Sequence, residues 1–449
     1  MGLSGIEIFK KLPKTNCGKC GVPTCLAFAM KLATGQAELD ACPDLSEDVK
    51  EELGEASAPP VRSVVIGTGE RAVKLGGETV LFRHEKRFEN PPAFTLLLSD
   101  NMDETEITSR LKKFNDTVYE RVGVVLRPEL VAVKAESGDA SKFGALVEKV
   151  CNQTDAGLVL MNEDADALSQ AARSCSSRKP LLYAANKDNF ELMGNLAKEL
   201  SCPLAVKAVN LEELSEVSEK LIAMGLKDLV LDSGARTARQ ALEDQIIIRR
   251  AALLKKFKPF GFPTIVFPCE MADNLIKETM IACQMTAKYG SVIVMSKIEG
   301  HSVFPLLLAS MNIFTDPQRP MAVDQKIYEI GAADESSPVL ITGNFSLTYF
   351  IVSGEVDASR VPSYLLIKDT EGLSVLTAWA AGKFAADTVA TFVKKSGIEE
   401  KVKHRKLVIP GYLATISGEL EEELPDWEIL IGPREASHLP AYLKQWIAD

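Results

Sequence analysis

The sequence predicts an α/β chain in three parts: a small N-terminal cysteine module, a central (β/α)8 TIM-type barrel, and a C-terminal open, Rossmann-like α/β domain. Three observations carry this reading. Four of the nine cysteines lie between positions 17 and 42. Eight short apolar runs alternate with amphipathic segments between Phe94 and Gly300. A second, shorter alternation of strand and helix begins near Gln325. At 449 residues the chain exceeds one ordinary core, so several domains are expected. The boundaries read as 1–57 for the cysteine module, 58–92 for a linker with a small β meander, 93–324 for the barrel and 325–449 for the last domain.

In the first part, Cys17, Cys20, Cys25 and Cys42 are separated by two, four and sixteen residues. That spacing lets four thiolates converge on one small object. Gly18 and Gly21 allow the backbone to wrap it and aim N–H groups at sulfur. A zinc ribbon also takes four cysteines, but it pairs two CxxC knuckles and only one is present. A disulfide pair belongs with a secretory leader, which the opening GIEIFKKLPK does not resemble. A 4Fe–4S cluster fits best, and Pro43 after the last cysteine matches the Cys-Pro end of ferredoxin-type runs. The segment from Cys25 to Gly35 reads as a helix closed by Gly35. SEDVKEELGE reads as another, capped by Ser46.

Ala58-Pro59-Pro60 opens the linker. SVVIGT, RAVKLGG and ETVLFRH are short β-prone runs parted by glycines, read as an antiparallel meander. No helix start follows these glycines, which argues for turns over a phosphate loop. The barrel strands are expected at 94–100, 130–136, 157–164, 180–186, 203–210, 228–234, 263–270 and 291–300, a count and length that match a (β/α)8 barrel. A doubly wound open sheet is the alternative. Barrel chemistry sits at strand C-terminal ends. Those ends carry Asp100, Asn101, Asn162, Glu163, Asp164, Asn186, Asn210, Asp232 and Glu270, all of which also serve as helix N-caps. His301 stands alone there. No acid–base pair or nucleophile constellation is visible, so the barrel reads as a platform.

After the loop Asn312–Pro320, strands are expected at 338–345, 363–369, 406–411 and 427–433. Their ends are small or hydroxylated: Thr342-Gly343-Asn344, Asp369-Thr370-Glu371-Gly372, Gly411 and Gly432-Pro433. Ligands of open α/β sheets bind outside the carboxyl ends of the strands, and small residues let a large flat or phosphate-bearing ligand approach the backbone. No GxGxxG motif is present, which argues against a dinucleotide.

The composition narrows the partners. A net charge of −11 argues against nucleic acid and anionic membranes. No apolar run approaches the ~18 residues of a membrane span. Free cysteines beside a cluster point to a reducing cytoplasm.

The cysteine module, the barrel, and the segments TGNFSLTYF, DTEGLSVLTAWA and IGPREAS together resemble the large (gamma) subunit family of corrinoid iron–sulfur proteins, over the whole chain. The resemblance implies a low-potential 4Fe–4S cluster on Cys17, Cys20, Cys25 and Cys42, a barrel paired with a small subunit, and a cobamide-binding C-terminal domain. By the same similarity Thr342 and Thr348 flank the corrinoid, Gly372, Leu373, Ser374 and Val375 lie along it, and Ala436 touches it. Thr377 and Gly411 are further neighbours.

The implied activity is methyl carriage. A partner methyltransferase passes a methyl group from methyltetrahydrofolate to the cobamide, which delivers it to acetyl-CoA synthase/CO dehydrogenase. The cluster, fed by a low-potential electron donor, returns Co(II) to Co(I). The Asp-x-His-x-x-Gly motif that places a histidine under cobalt is absent, which implies a base-off cobamide and leaves His404 and His438 as surface residues. The C-terminal domain is expected to move on the 312–330 segment. Two rival readings are an iron–sulfur activator of a separate corrinoid protein, and a pterin-dependent methyltransferase using the barrel with Asp100 and Asn101 on the pterin.

Overall fold

The computed structural model of the protein describes residues 4–33, 37, 39–46, 49–50, 53–54, 58–121 and 123–447. Contacts divide the chain into two units, 1–119 with 126–314, and 120–125 with 315–449.

The first unit opens with α1 (Gly5–Lys11), capped reciprocally by Ser4 and Glu7, and α2 (Cys25–Ala33). Ile8, Leu12, Cys25, Phe28, Ala29, Cys42, Leu45 and Leu53 form the module's own small core. Of the helix expected from Ser46, the Lys50 N–H donates to the Ser46 carbonyl. Residues 47–48, 51–52 and 55 lie outside the described residues, as does Gly35.

In the linker only two strands form, β1 (Val64–Ile66) and β2 (Val73–Leu75), paired antiparallel. The expected third run, ETVLFRH, makes no strand. Glu78 draws it off the ladder: its carboxylate is buried, 3.4 Å from Arg249 Nη1. The hairpin is part of the barrel's interior. Val64, Ile66 and Leu75 share one apolar cluster with the inward-facing Ala93, Leu130, Val159, Leu181, Val230 and Val292.

Eight parallel strands build that barrel. They are β3 (Ala93–Ser99), β6 (Leu130–Lys134), β7 (Gly157–Met161), β8 (Leu181–Ala185), β9 (Leu204–Lys207), β10 (Leu229–Asp232), β11 (Ile265–Val266) and β12 (Val292–Met295). Between β3 and β6 stands a short hairpin, β4 (Tyr119–Arg121) with β5 (Val124–Leu126), which the sequence reading passed over. The order around the barrel is β10-β9-β8-β7-β6-β3-β12-β11. A parallel bridge from Leu231 to Thr264 closes it, with the Leu231 N–H donating to the Pro263 carbonyl at 2.8 Å. Closure decides between the barrel and the open sheet.

The helices that follow the strands are α3 (Glu104–Asp116), α4 (Ala140–Gln153), α5 (Ala165–Cys175), α6 (Phe190–Leu200), α7 (Leu211–Ala223), α8 (Ala238–Lys255), α9 (Leu275–Ala287) and α10 (Gly300–Phe314). The last extends three residues into the stretch expected to be loop. Their apolar faces meet the outward side chains of the strands, such as Phe94, Leu158 and Leu231, in a second layer.

The second unit is a five-stranded sheet of order β13-β15-β14-β16-β17. It comprises β13 (Lys326–Ile330), β14 (Val339–Gly343), α11 (Ser346–Ser359), β15 (Ser363–Lys368), α12 (Val375–Ala380) and α13 (Ala386–Ser396). It continues with β16 (Lys406–Ile409), α14 (Ser417–Glu423), β17 (Glu428–Ile431) and α15 (Leu439–Leu443). The last four strands are parallel, and β13 adds an antiparallel edge. None of the β13 side chains is fully buried, so it lacks the apolar run that marked the other four.

Candidate functional site

In the second unit the chain runs from β14 to β15 on one side and then crosses to β16 on the other. This order is that of flavodoxin-like sheets, whose ligand sits where the strand order reverses, between the first strand and the third. The registers show the opening. β14 pairs with β15 along its whole length, from Val339 to Gly343. With β16 it pairs only at Val339 and Leu340. Past that point the two strands part, leaving Ile341-Thr342 and Ile409-Pro410 as the walls of a crevice of about 280 Å³.

Five expected residues, Thr342, Thr348, Ser374, Val375 and Ala436, line this one crevice, though they come from four separate segments. Leu340, Ile351, Leu376, Val408, Tyr412 and Leu439 make most of the wall apolar. Thr342 is 4% exposed at the end of β14. Thr348 lies in the first turn of α11, and Ser374 stands at the head of α12, its hydroxyl 2.9 Å from that of Thr377. On the rim, the Tyr412 hydroxyl donates to Glu435 at 2.7 Å and the Arg434 guanidinium lies over the Tyr412 ring.

Two expected residues stand behind the wall. Gly372 has φ +73°, and a Cβ there would meet the Pro320 carbonyl at 2.8 Å, so only glycine fits that turn. The Leu373 carbonyl accepts the Thr370 hydroxyl at 2.9 Å, and its side chain packs on the domain core. Gly411 does not line the crevice either; it lies against the Gly432–Arg434 backbone.

Tyr412, Ile351 and Leu439 were missed by sequence reasoning. Ile351, three residues past Thr348 on α11, was signalled by helical spacing. His404 corrects an expectation. It is 7% exposed, its Nε2 2.9 Å from the Ser337 carbonyl and its Nδ1 accepting the Lys406 N–H. It sits at the amino ends of β14 and β16, away from the crevice. His438 is exposed, as expected.

In the cysteine module, Gly18 and Gly21 take φ of +71° and +79°, and the Gly21 N–H closes a tight turn on the Gly18 carbonyl. Asn16 clasps Cys25: its side-chain oxygen accepts the Cys25 N–H at 2.8 Å, and its own N–H points to the Cys25 sulfur at 3.4 Å. Lys19 and Asp44 bridge the loop at 3.0 Å. The Lys19 hydrogen bond, helped by one from Cys17, holds the Asp44 carboxyl below its ordinary range, and Asp44 in turn raises Lys19. Cys25 and Cys42 are buried, Cys20 is half-buried and Cys17 is exposed.

Among the described residues no three acidic, thiol or imidazole side chains are grouped as a single metal ion would group them. A four-iron cluster puts each thiolate on a different iron, so it asks for a wider spread. The glycine turn, an N–H aimed at sulfur and four thiols on one loop system fit it.

The barrel's carboxyl end holds a crevice of about 390 Å³. Arg236 forks onto Asp232 at 2.9 and 3.1 Å, reaches Glu270, and lies over the Phe267 ring. Tyr183 donates to Asp232 at 2.7 Å. Burial pushes the Tyr183 phenol well above its usual range, and the Asp232 charge adds to that. Lys134 pairs with Glu136 and Glu270, and Lys207 with Glu163. Asp164 and Asn210 are helix caps, and Asp100 accepts the Glu136 and Ser137 N–H groups. His301 is exposed.

Fold and crevice together define a barrel protein that carries a flavodoxin-like domain with an open crevice and a cysteine loop. A family model described as the CO dehydrogenase/acetyl-CoA synthase delta subunit matches residues 63–443. A second, described as a putative Fe–S cluster, matches residues 12–43, which contain all four cysteines of the module. The chain is 46% identical over 449 residues to the corrinoid/iron–sulfur protein large subunit of Moorella thermoacetica, with 100% of both chains covered. It is 35% identical over 460 residues to the acetyl-CoA decarbonylase/synthase complex subunit gamma of Methanothermobacter thermautotrophicus, again covering both fully. Dihydropteroate synthase from Thermus thermophilus aligns with a TM-score of 0.40 at 11% identity, covering 56% of this chain and 100% of that one.

The chain belongs to the family of corrinoid/iron–sulfur protein large, or gamma, subunits. The delta-subunit model begins after the cysteine module, whereas the large and gamma relatives match from end to end, and this settles the subunit type.

Proposed function

We propose that this chain is a methyl-group carrier with a 4Fe–4S cluster on Cys17, Cys20, Cys25 and Cys42 and a base-off cobamide in the crevice of its C-terminal domain. The observation that carries the reading is the parting of β14 from β16, which opens an apolar crevice lined by Thr342, Thr348, Ser374, Val375 and Ala436. When bound, the corrinoid supplies a cobalt that takes up and yields a methyl group, and the cluster supplies single electrons that keep that cobalt reduced.

The chain's own residues supply binding and environment. Leu340, Ile351, Leu376 and Leu439 would exclude water from a bound corrinoid, and the hydroxyls of Thr342, Thr348 and Ser374 would offer it hydrogen bonds. None of the four histidines lines the crevice, so this wall presents no imidazole as an axial ligand. Gly372 and Leu373 support the wall from behind. Asn16 and the Gly18–Gly21 turn hold the cysteine loop, with main-chain N–H groups favouring thiolate over thiol.

In this reading the division at 57, 92 and 324 separates electron supply, platform and carrier. The partners are a small corrinoid-protein subunit, a methyltetrahydrofolate methyltransferase, acetyl-CoA synthase/CO dehydrogenase and a low-potential electron donor. An iron–sulfur activator would have no use for the crevice. Anaerobically prepared protein examined by visible absorption and EPR tests the proposal. Cobamide bands with a base-off Co(II) signal and an iron–sulfur signal are expected. A colourless, zinc-loaded protein would contradict it.

A further inference from the structure

The crevice wall from Ser374 onward hangs on one buried side chain that does not itself face the crevice. Asn344, 5% exposed, follows β14 directly. Its side-chain oxygen accepts the Thr370 N–H and the Gly372 N–H, each at 2.9 Å, and the Thr370 hydroxyl lies at the same distance. Its Nδ2 donates to Asp369 at 2.8 Å. Asp369 in turn accepts the Glu371 N–H at 2.8 Å, and its own N–H is held by Gln325. The Thr370 hydroxyl, with the residue fully buried, has one proton to share between the Asn344 oxygen and the Leu373 carbonyl, which is also 2.9 Å away. The main chain of Asn344 is fixed as well, its carbonyl accepting the Val323 N–H at 2.9 Å. A carboxamide suits this place because it offers two acceptor lone pairs and two donors without charge.

We propose that Asn344 is a positioning residue for the cobamide: through Thr370 and Gly372 it sets the path of the 369–375 turn and so presents Ser374 and Val375 to the crevice. The inference rests on the reading that this crevice holds a cobamide. Asn344 ties the end of β14, which carries Thr342, to the start of α12, which carries Val375. Two walls of the crevice therefore keep their spacing without help from the ligand, and the site is preorganised.

The test uses full-length protein freed of corrinoid and titrated with cobalamin, following the absorption change, beside thermal unfolding of the ligand-free form. Losing these hydrogen bonds frees the 369–375 turn, so Asn344→Ala should weaken binding roughly 10- to 100-fold. Thr370→Val, which keeps the shape and removes the hydroxyl, should weaken it by about tenfold, whereas Thr370→Ser restores wild-type affinity. Asn344→Asp keeps the acceptors, but sets a carboxylate against Asp369 and should also bind weakly.

A positioning role is shown by affinity lost in Thr370→Val, recovered in Thr370→Ser, with the melting temperatures of the two close together. If Asn344→Ala does not fold, that Thr370 pair alone decides. Wild-type affinity in Thr370→Val and Asn344→Asp, while wild type binds, overturns this inference alone. Wild-type protein that takes up no cobalamin overturns the crevice reading and this inference with it.

Discussion

Two concave faces in this protein lie at the carboxyl ends of parallel strands, and they are finished in opposite ways. At the barrel's end, Lys134, Lys207 and Arg236 are each committed to Glu136, Glu163, Asp232 or Glu270, so the strand ends satisfy one another. In the C-terminal domain the strands end in Thr342, Pro410 and Gly432, with Ala436 beyond, and Ile351, Leu376 and Tyr412 remain half in solvent. The fold rule names both places as candidates. Side-chain chemistry, not volume, separates them: paired charges line the barrel's crevice and satisfy one another, whereas small and apolar groups line the other.

The largest effect that could break this contrast is expected from filling the open face. Ala436→Trp should overpack the crevice and lower cobalamin affinity by roughly 100-fold, read by absorption titration. Wild-type affinity there would move the ligand elsewhere.

Next comes the paired face. Asp232 is 2% exposed, and Asp232→Asn leaves the partly buried Arg236 without its main partner. Denaturant unfolding should show a loss of about 3 kcal/mol, with cobalamin affinity unchanged. Weakened binding would mean that the barrel's end takes part in the site.

A smaller effect concerns Glu129, which precedes β6 and accepts the Phe94 N–H at 3.0 Å. Burial raises its carboxyl to about 8, with Arg71 and Arg127 only partly offsetting this. A raised folded-state value favours the protonated form. Its contribution to stability is therefore fully present below the ordinary glutamate range and is lost as pH rises through about 8. The slope should be no more than ~1.4 kcal/mol per pH unit, and Glu129→Gln should flatten it in unfolding measured from pH 5 to 8.

Much of this was legible in the residues. All eight barrel strands and the four parallel strands of the last domain announce themselves as apolar runs, because all but the edge strand β17 are largely buried on both faces. β13 does not, since none of its side chains needs full burial. ETVLFRH reads as a strand, but its buried acid takes it to Arg249 instead. The hydroxyls at 342, 348 and 374 could be named from their motifs. The distinction between Ser374, which lines the crevice, and Gly372, which props the turn, depends on φ angles and on Pro320, fifty-two positions earlier. His404 looked like a surface residue beside Lys403 and Arg405. Its burial follows from Ser337 and Trp446, both distant in sequence.

In the proposed division of labour, Cys17, Cys20, Cys25 and Cys42 supply electrons and the C-terminal crevice holds the carrier. Cys20→Ala protein loaded with cobamide tests it most directly, assayed once for methyl transfer after chemical pre-reduction and once for reductive reactivation of the oxidised form. Methyl transfer by the pre-reduced protein should be retained while reactivation by the physiological type of donor is lost. Loss of methyl transfer, with fold and cobamide intact, would contradict it.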